Sequence, residues 1–338
     1  MADGQCFVAE GAMKPGAAEI VVAIPTLNEA SHIETCIESL LVGDERLKDI
    51  QFVVADGGST DGTRAIVDRL AIRFPNVCWI DNPGRLQSAA VNRVAEIHGD
   101  GRTILVRCDA HSIYPPGYVT RVADALKSRG VASLVVPMDA VGRTCFQKAN
   151  AWIVDTPLGS GGSAHRGGTQ SGFVDHGHHA GFDMAMFRTV GGYDETFSHN
   201  EDAEYDARIA AAGGKIFLDA DIRIEYLPRD GIMSLARQYV NYGKGRARTI
   251  RKHNLTPRLR QLFPALNLVV FVGAACVAPL WWPALLYPLA YLGGLVFASA
   301  WMVYRHRSLC GVWAGVAAGT MHMSWAYGFL KARFVEGR

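Results

Sequence analysis

Apolar and polar positions alternate in a regular order along the chain from Glu19 onward. Amphipathic segments with a helical period separate short apolar runs that are typical of buried strands: EIVVAI, QFVVA, VCWI, TILVR and ASLVVP. The first amphipathic segment predicts a helix that begins with a capping box between Ser31 and Glu34. Strands that alternate with helices predict an α/β fold, in which helices cover both faces of a mostly parallel sheet.

This pattern stops at two places. Residues 141–172 are rich in glycine, and their length predicts either a mobile lid or a disordered insertion. Residues 261–304 include no charged side chain, and residues 308–330 include none apart from His322. Because a membrane-spanning helix needs about 20 apolar residues, the tail predicts an α-helical membrane region with three spans. The alternative is two spans followed by a short re-entrant or interfacial helix.

A basic segment with two tyrosines, Tyr239 and Tyr242, precedes the apolar tail and suits the headgroup layer of a membrane. We therefore expect four parts: an N-terminal tail (1–18), an α/β domain (19–230), a basic interfacial segment (231–260) and a transmembrane region (261–338).

The distribution of charge predicts the orientation in the membrane. Six basic residues precede the first predicted span, and the positive-inside rule places them in the cytoplasm: Arg246, Arg248, Arg251, Lys252, Arg258 and Arg260. Three spans would leave Lys331, Arg333 and Arg338 outside, against that rule. We expect a multi-pass protein of the cell inner membrane with a cytoplasmic α/β domain.

Overall composition adds two expectations. The formal net charge of +2 predicts no strongly acidic partner, and we expect no binding to nucleic acid. The seven cysteines are scattered and form no C-x-x-C pair, which indicates buried free thiols rather than a disulfide framework.

Acidic side chains follow three of the predicted strands. Glu29 follows the first strand, Asp56 ends the second, and Asp109 follows the strand TILVR. The pair Glu201-Asp202 opens a later helix. Because loops at the carboxyl ends of parallel strands converge on one crevice, the sequence predicts a binding site there.

Asp109 and His111 form a D-x-H motif that favours a divalent metal. A carboxylate and an imidazole two positions apart can both face one ion, while phosphate oxygens of a nucleotide fill its other positions. The expected cofactor is Mg²⁺ or Mn²⁺, and imidazole favours Mn²⁺ because it is the softer ligand. A second histidine-rich stretch, Asp175–His179, is compatible with either a metal site or a polar loop on the acceptor side.

The motifs IPTLNEA, VVADGGSTDGT, LVRCDAHS, GGYDE and NEDAEYDARIAAAG occur in this order and resemble a family 2 glycosyltransferase with the GT-A fold. The resemblance covers roughly residues 20–226. The stretches NPGRLQSAAVN and QYVNYGKGRART further resemble succinoglycan-type glucosyltransferases of bacterial exopolysaccharide assembly. The resemblance implies inverting transfer of a sugar, glucose from UDP-glucose, to a polyprenyl-diphosphate-linked or other lipid acceptor in the membrane.

The family implies a role for individual residues. Pro25, Thr26 and Glu29 would border the nucleotide, with Glu29 near the ribose, and Asp56 would meet the uracil edge. Arg85 would lie beside the uridine or the pyrophosphate. Asp109 would lie at the ribose and metal, with His111 in place of the last acid of the family's D-x-D.

Asp202 would be the catalytic base that takes a proton from the acceptor hydroxyl. Lys244 or Arg246 would stabilise the leaving diphosphate together with the metal. Two departures from the family pattern concern the metal: Gly57 replaces an acid in the first loop, and His111 replaces one in the second.

Three alternatives remain. A processive polysaccharide synthase would carry a Q-x-x-R-W motif, and no tryptophan here follows an arginine. A non-catalytic sugar-nucleotide-binding scaffold would tolerate loss of Asp109 or Asp202, and both are present. A nucleotidyltransferase would need a loop rich in glycine and arginine after the first strand, where this chain has PTLNEA.

Overall fold

The computed structural model describes residues 14–161, 168–257 and 259–335, without the side chain of Arg260. The chain divides into two compact units: residues 1–138 with 168–225, and residues 139–167 with 226–338. Most of the predicted N-terminal tail (1–18), and Arg258 and Arg338 of the predicted membrane topology, lie outside the described residues.

The strands of the described chain are short. They are β1 (Ile20–Thr26), β2 (Gln51–Asp56), β3 (Val77–Asp81), β4 (Ile104–Arg107), β5 (Ser133–Val136), β6 (Met138–Ala140), β7 (Gly172–Val174), β8 (His178–Asp183), β9 (Ile216–Leu218) and β10 (Ile224–Tyr226). Eight of them form one sheet in the order β3-β2-β1-β4-β8-β5-β9-β7, and β6 pairs with β10.

The α-helices fall between and after these strands. They are α1 (Ile33–Leu40), α2 (Thr63–Arg73), α3 (Gln87–His98), α4 (Tyr118–Arg129), α5 (Cys145–Val154), α6 (Pro157–Ser160), α7 (Met184–Thr189), α8 (Glu201–Ala211), α9 (Ile232–Lys252), α10 (Leu259–Val277), α11 (Leu286–His306) and α12 (Trp313–Phe334). The strand–helix alternation predicted from the sequence is therefore present in the first unit.

Parallel pairing brings three loops to one edge of the sheet. Strand β1 lies between β2 and β4 and is parallel to both, with Thr26 opposite Asp56 and Ala23 opposite Arg107. Strand β8 runs antiparallel to β4 on the next side. Fully buried side chains of β1, β2, β4, α3 and β8 form the core: Val21, Val53, Leu105, Val91 and Phe182. The loops after β1, β2 and β4 thus share the carboxyl edge.

One local prediction is wrong, and another is wrong in part. Helix α1 begins at Ile33 with His32 as its N-cap and no capping bond from a side chain, so Ser31 and Glu34 form no capping box. The hydroxyl of Ser31 instead contacts Nδ1 of His32 at 2.9 Å. In the region 141–172 the expectation of a disordered insertion is wrong for the residues that form α5 and α6, whereas a mobile lid stays a prediction. Residues 162–167 of this region lie outside the described chain.

The second unit is built mainly from helices, and α9 packs extensively against α12. Near the start of both helices Leu235 shares a buried cluster with Ala317 and Met321, and near their ends Ile250 shares another with Ala332, whose carbonyl accepts from Arg251. The helices therefore run side by side in the same direction. Glycine permits this approach, since a Cβ at Gly328 would lie 2.1 Å from the carbonyl oxygen of Val240.

Helices α10 and α11 expose large apolar side chains along their length, among them Phe263, Val269, Leu289, Val296 and Phe297. The segment Trp282–His306 is long and apolar enough to cross a membrane. The shorter apolar helix Gln261–Val277 precedes it in the described chain.

One pair of cysteines contradicts the expectation of free thiols. Cys145 on α5 and Cys310 in the short 3₁₀ helix before α12 are joined as a disulfide across 165 positions of sequence. Spacing in the sequence could not reveal a pair that tertiary packing brings together. Cys36 and Cys108 are buried free thiols, as expected, whereas Cys276 is exposed.

Candidate active site

The loops after β1 and β2 hold each other in place. The backbone N–H of Asn28 donates to Oγ of Ser59 at 2.8 Å, and Oδ1 of Asn28 accepts from the N–H of Thr60 at 2.9 Å. The N–H of Glu29 donates to Oγ1 of Thr63 at 2.9 Å. These bonds fix two polar, glycine-containing turns that have little side-chain packing of their own.

Asp56 organises the second of these turns. Its carboxylate, 1% exposed at the end of β2, accepts from Oγ of Ser59 at 2.5 Å and from Nε of Arg64 at 2.7 Å. Burial alone would raise the pKa of Asp56, but these hydrogen bonds outweigh it and hold the pKa below its usual range. Asp56 is therefore a charged, fixed group beside the predicted nucleotide site.

The glycine at position 57 has a packing reason. A Cβ there would lie 3.3 Å from Cδ1 of Leu27 and 3.4 Å from Cα of Arg85. Gly57, which stands where the family has an acid, therefore lies at a close approach of three loops. Arg85 itself is exposed, with a left-handed φ of 55°, between β3 and α3.

At the end of β1, Pro25 is half-buried, and Thr26 is buried with its hydroxyl donating to the carbonyl of Ile24.

The loops after β1 and β4 also meet. Oε1 of Glu29 lies 3.1 Å from Nδ1 of His111, whose side chain is 58% exposed. Oδ1 of Asp109 accepts from Nε2 of Gln87 at 3.0 Å. The structure therefore brings Glu29, Asp109 and His111 to one edge, as predicted. Lys244 and Arg246 lie on α9 of the second unit, and their contribution stays a prediction.

Sequence analysis missed the group at the centre of this edge, which is Arg107. This last residue of β4 is only 3% exposed, and its Nη1 donates to Oδ1 of Asp202 at 2.8 Å. Its Nε lies 3.7 Å from Oδ1 of Asp109. The available signal was an arginine at the end of the otherwise apolar run TILVR.

Asp202, the predicted base, is held by two donors on one oxygen. Oδ1 accepts from Arg107 and from the hydroxyl of Tyr193 at 2.7 Å. Burial alone would raise the pKa of Asp202, but the guanidinium of Arg107 outweighs it and holds the pKa well below its usual range. Burial raises the pKa of the neighbouring Glu201 to about 7, and repulsion from Asp202 adds to the rise. The two adjacent acids therefore differ in protonation near neutral pH.

The stretch Asp175–His179 is split by the alternation of β8. His179 is fully buried between Oγ of Ser133, at 2.5 Å, and Oδ1 of Asp206, at 2.8 Å. His176 contacts the other carboxylate oxygen of Asp206 at 2.6 Å. His178 points the other way, with Nδ1 3.2 Å from Nη2 of Arg107. His178 is therefore in contact with Arg107 at the candidate site, whereas His176 and His179 contact Asp206.

A metal shared with a nucleotide fits Asp109 and His111, because one offers carboxylate oxygen and the other an exposed imidazole. Burial alone would raise the pKa of Asp109. Arg107 opposes this rise most strongly, and His111 is close enough to contribute to the lowering. The described residues contain no cluster of three or more metal-binding side chains. An ion held here would need most of its ligands from the diphosphate and water.

These features are those of a nucleotide-sugar transferase, and comparison with known proteins gives the family. The model of glycosyl transferase family 2 matches residues 21–191. The chain therefore belongs to glycosyltransferase family 2 and is an enzyme of that class with a GT-A-like α/β fold. It is 43% identical to the succinoglycan biosynthesis protein ExoA of Rhizobium meliloti, over 92% of this chain and 94% of that protein.

Two more distant proteins are also similar. A dolichyl N-acetyl-alpha-D-glucosaminyl phosphate 3-beta-D-2,3-diacetamido-2,3-dideoxy-beta-D-glucuronosyltransferase of Methanococcus voltae is 24% identical over 69% of this chain and 74% of its own. The mannosyltransferase PcManGT of Pyrobaculum calidifontis, solved with GDP-Man and Mn²⁺, has a TM-score of 0.56 at 20% identity and covers 94% of this chain and 87% of its own. The last likeness supports the fold alone.

The raised pKa of Glu201 predicts a pH dependence of stability. Between the ordinary value of 4.5 and about 7 the folded protein binds more protons at this group than the unfolded chain, so stability falls as pH rises through that window. Glu201→Gln should remove this fall and make the variant more stable than the wild type above pH 7. Urea unfolding between about pH 4.5 and 8 measures the difference. Parallel curves for both proteins would show that Glu201 titrates normally.

Proposed function

We propose that the protein is an inverting glycosyltransferase that moves glucose from UDP-glucose to a lipid-linked saccharide in exopolysaccharide synthesis. The observation that carries the proposal is the convergence of two carboxylates on one buried arginine at the carboxyl edge of the sheet, where Arg107 donates to Asp202 and lies 3.7 Å from Asp109. The name of the 43% identical relative supports the pathway, and the dolichyl phosphate in the name of the archaeal relative supports a lipid carrier.

Asp202 is suited to act as the base. Both of its donors bind Oδ1, which leaves Oδ2 to accept the proton of the acceptor hydroxyl. Its depressed pKa keeps it ionised, so it is always ready to accept a hydrogen bond from that hydroxyl. Much of the acceleration then comes from holding the acceptor oxygen in line with the anomeric carbon and the leaving group.

The other site residues would hold the donor. Glu29 would bind near the ribose, with Pro25 and Thr26 along the nucleotide. Asp56 would lie at the uracil edge, and Arg85 would lie beside the pyrophosphate. Asp109 and His111 would hold Mg²⁺ or Mn²⁺, which would offset the charge that grows on the leaving diphosphate. Lys244 or Arg246 would add positive charge there.

Replacement of Asp202 tests the base. Asp202→Asn should retain UDP binding but lose transfer by at least 100-fold, because the amide preserves shape and cannot accept the proton. Glu201→Gln is the matched control and should keep most of the activity. Rates with a panel of nucleotide sugars and a polyprenyl-diphosphate-linked saccharide measure both. An active Asp202→Asn beside an inactive Glu201→Gln would move the base to Glu201.

Metal dependence is tested at Asp109 and His111. Asp109→Ala should weaken UDP binding in the presence of Mn²⁺ and have little effect in excess chelator. His111→Asp should move the preference from Mn²⁺ toward Mg²⁺, because carboxylate is the harder ligand. Titration calorimetry of UDP with each metal gives the affinities. Equal wild-type activity with and without chelator would contradict a metal at these residues.

We also infer how the second unit meets the membrane. The exposed apolar faces of α10 and α11 suit two spans joined by a turn near Pro283. Three spans remain a prediction, but the packing of α12 favours the alternative with an interfacial last helix. A spanning α12 would carry its neighbour α9, with Lys244, Arg248 and Arg251, into the hydrocarbon.

Reporter fusions test this topology. With two spans, a fluorescent protein fused after Arg338 should fold in the cytoplasm and an alkaline phosphatase at the same place should be inactive. The same pair fused at the N-terminus should give the same result, since nucleotide sugars are made in the cytoplasm. Active phosphatase after Arg338 would support three spans. Active phosphatase at the N-terminus would contradict the proposed donor supply.

A further inference from the structure

The guanidinium of Arg107 is close to four other side chains of the candidate site. Besides Asp202 and Asp109, its Nη1 donates to the hydroxyl of Tyr193 at 3.0 Å and its Nη2 to Nδ1 of His178 at 3.2 Å. Removing a guanidinium from water is unfavourable, and neighbouring carboxylates offset that cost. Here the compensating carboxylates are the two acids proposed to act on donor and acceptor.

We propose that Arg107 is a positioning residue that fixes the donor-side carboxylate Asp109 and the acceptor-side carboxylate Asp202 relative to each other before substrates bind. The inference rests on the proposed function. Asp109 lies in the loop after β4 and Asp202 opens α8, so the backbone does not hold them together directly. Arg107 holds Asp202 by a hydrogen bond and attracts Asp109 by charge across 3.7 Å, and a lysine cannot reproduce the planar fork that reaches both sides.

Tyr193 and His178 complete the arrangement. The Tyr193 hydroxyl accepts from Arg107 and donates to Oδ1 of Asp202, so it doubles the link between the two charged groups. Because a guanidinium can only donate, Nδ1 of His178 must be the acceptor and its proton lies on Nε2. That nitrogen is 3.7 Å from Oδ2 of Asp109. Arg107 thereby sets the tautomer of a histidine that faces the donor-side carboxylate.

Another partly buried arginine of the same unit shows what a purely structural role looks like. Arg208 on α8 pairs with Glu204 one turn earlier and donates to the backbone carbonyls of Val190 and Gly192. None of these partners is a predicted site residue. Arg208→Lys therefore serves as the control for Arg107→Lys, since it should lower stability without changing the chemistry of the folded enzyme.

Tyr193 and Tyr205 provide a better-matched pair of variants, because replacement by Phe preserves the shape of the ring. Tyr193→Phe removes one of the two bonds to Asp202. Tyr205 belongs to the same aromatic cluster, at 5.0 Å between ring centroids, and its buried hydroxyl has no hydrogen-bond partner among the described residues. Tyr205→Phe therefore removes a hydroxyl from the same core without touching the network. In the same way His176→Asn, at Asp206, is the control for His178→Asn.

The experiment measures kcat, donor KM and the pH profile of each folded variant. Rates are taken with Mn²⁺, a polyprenyl-diphosphate-linked saccharide and whichever of UDP-glucose, UDP-galactose and GDP-mannose the wild type uses. Arg107→Lys should lower kcat about 100-fold through misplacement of the carboxylates, with donor KM changed much less. Tyr193→Phe should lower kcat about 10-fold, whereas Tyr205→Phe should match the wild type.

The pH profile separates positioning from stability. Asp202 is surrounded by Arg107 and Asp109 from β4 and its loop, His178 and His179 from β8, and Tyr193 and Glu201 beside it. Loss of a donor to Asp202 should move the acidic limb of the kcat profile to higher pH in Tyr193→Phe and Arg107→Lys. His178→Asn should raise donor KM more than His176→Asn does.

Several outcomes would overturn the inference. One is an unshifted profile in Tyr193→Phe with kcat equal to that of Tyr205→Phe. Another is an Arg107→Lys variant that gives less folded protein but keeps the wild-type kcat once folded, which is the result expected for Arg208→Lys. Failure of the proposed function looks different, because the wild type itself would transfer none of the three sugars, and the positioning role would fall with it.

Discussion

The charge of Arg107, buried at the end of β4, is the constraint on which the site depends. A guanidinium at 3% exposure must be matched by carboxylates, and the fold supplies Asp202 from the start of α8 and Asp109 from the following loop. That balance ties helix α8 to strand β4 and keeps both acids ionised. The same contact also prepares the chemistry, because Arg107 lowers the pKa of Asp202 against the effect of burial, while burial raises the pKa of Glu201.

The remaining loops reach the site through hydrogen bonds rather than apolar packing. Asn28, Ser59 and Thr63 join the turns after β1 and β2, and Asp56 holds the second turn through Ser59 and Arg64. A turn rich in glycine and acids thus becomes rigid because its side chains bind its neighbour's backbone. Such preorganisation suits a site that must recognise a nucleotide and exclude alternative geometries.

Those parts of the fold and of the candidate site that depend on short-range sequence pattern and strand order could be predicted from the sequence. The alternation of strands and helices and the meeting of Glu29, Asp109 and His111 at one edge all follow from periodicity and parallel pairing. The contacts of Arg107 with Tyr193 and His178 do not, because they join residues 86 and 71 positions apart. The prediction of a capping box was wrong because His32, rather than Ser31, is the N-cap residue of α1. The Cys145–Cys310 disulfide depends on helix packing, which cysteine spacing in the sequence does not encode. The proposal of two spans likewise rests on the packing of α12 against α9, which the composition of α12 does not encode.

The structure of the protein bound to UDP and Mn²⁺ is the most direct test of the account. We expect the ion to be coordinated by Asp109, with His111 beside it and the diphosphate completing the coordination. Arg107 should still bind Oδ1 of Asp202, and Oδ2 should face the space where an acceptor hydroxyl would lie. A diphosphate bound away from Asp109, or an Arg107 side chain that leaves Asp202 to bind the phosphates, would contradict it.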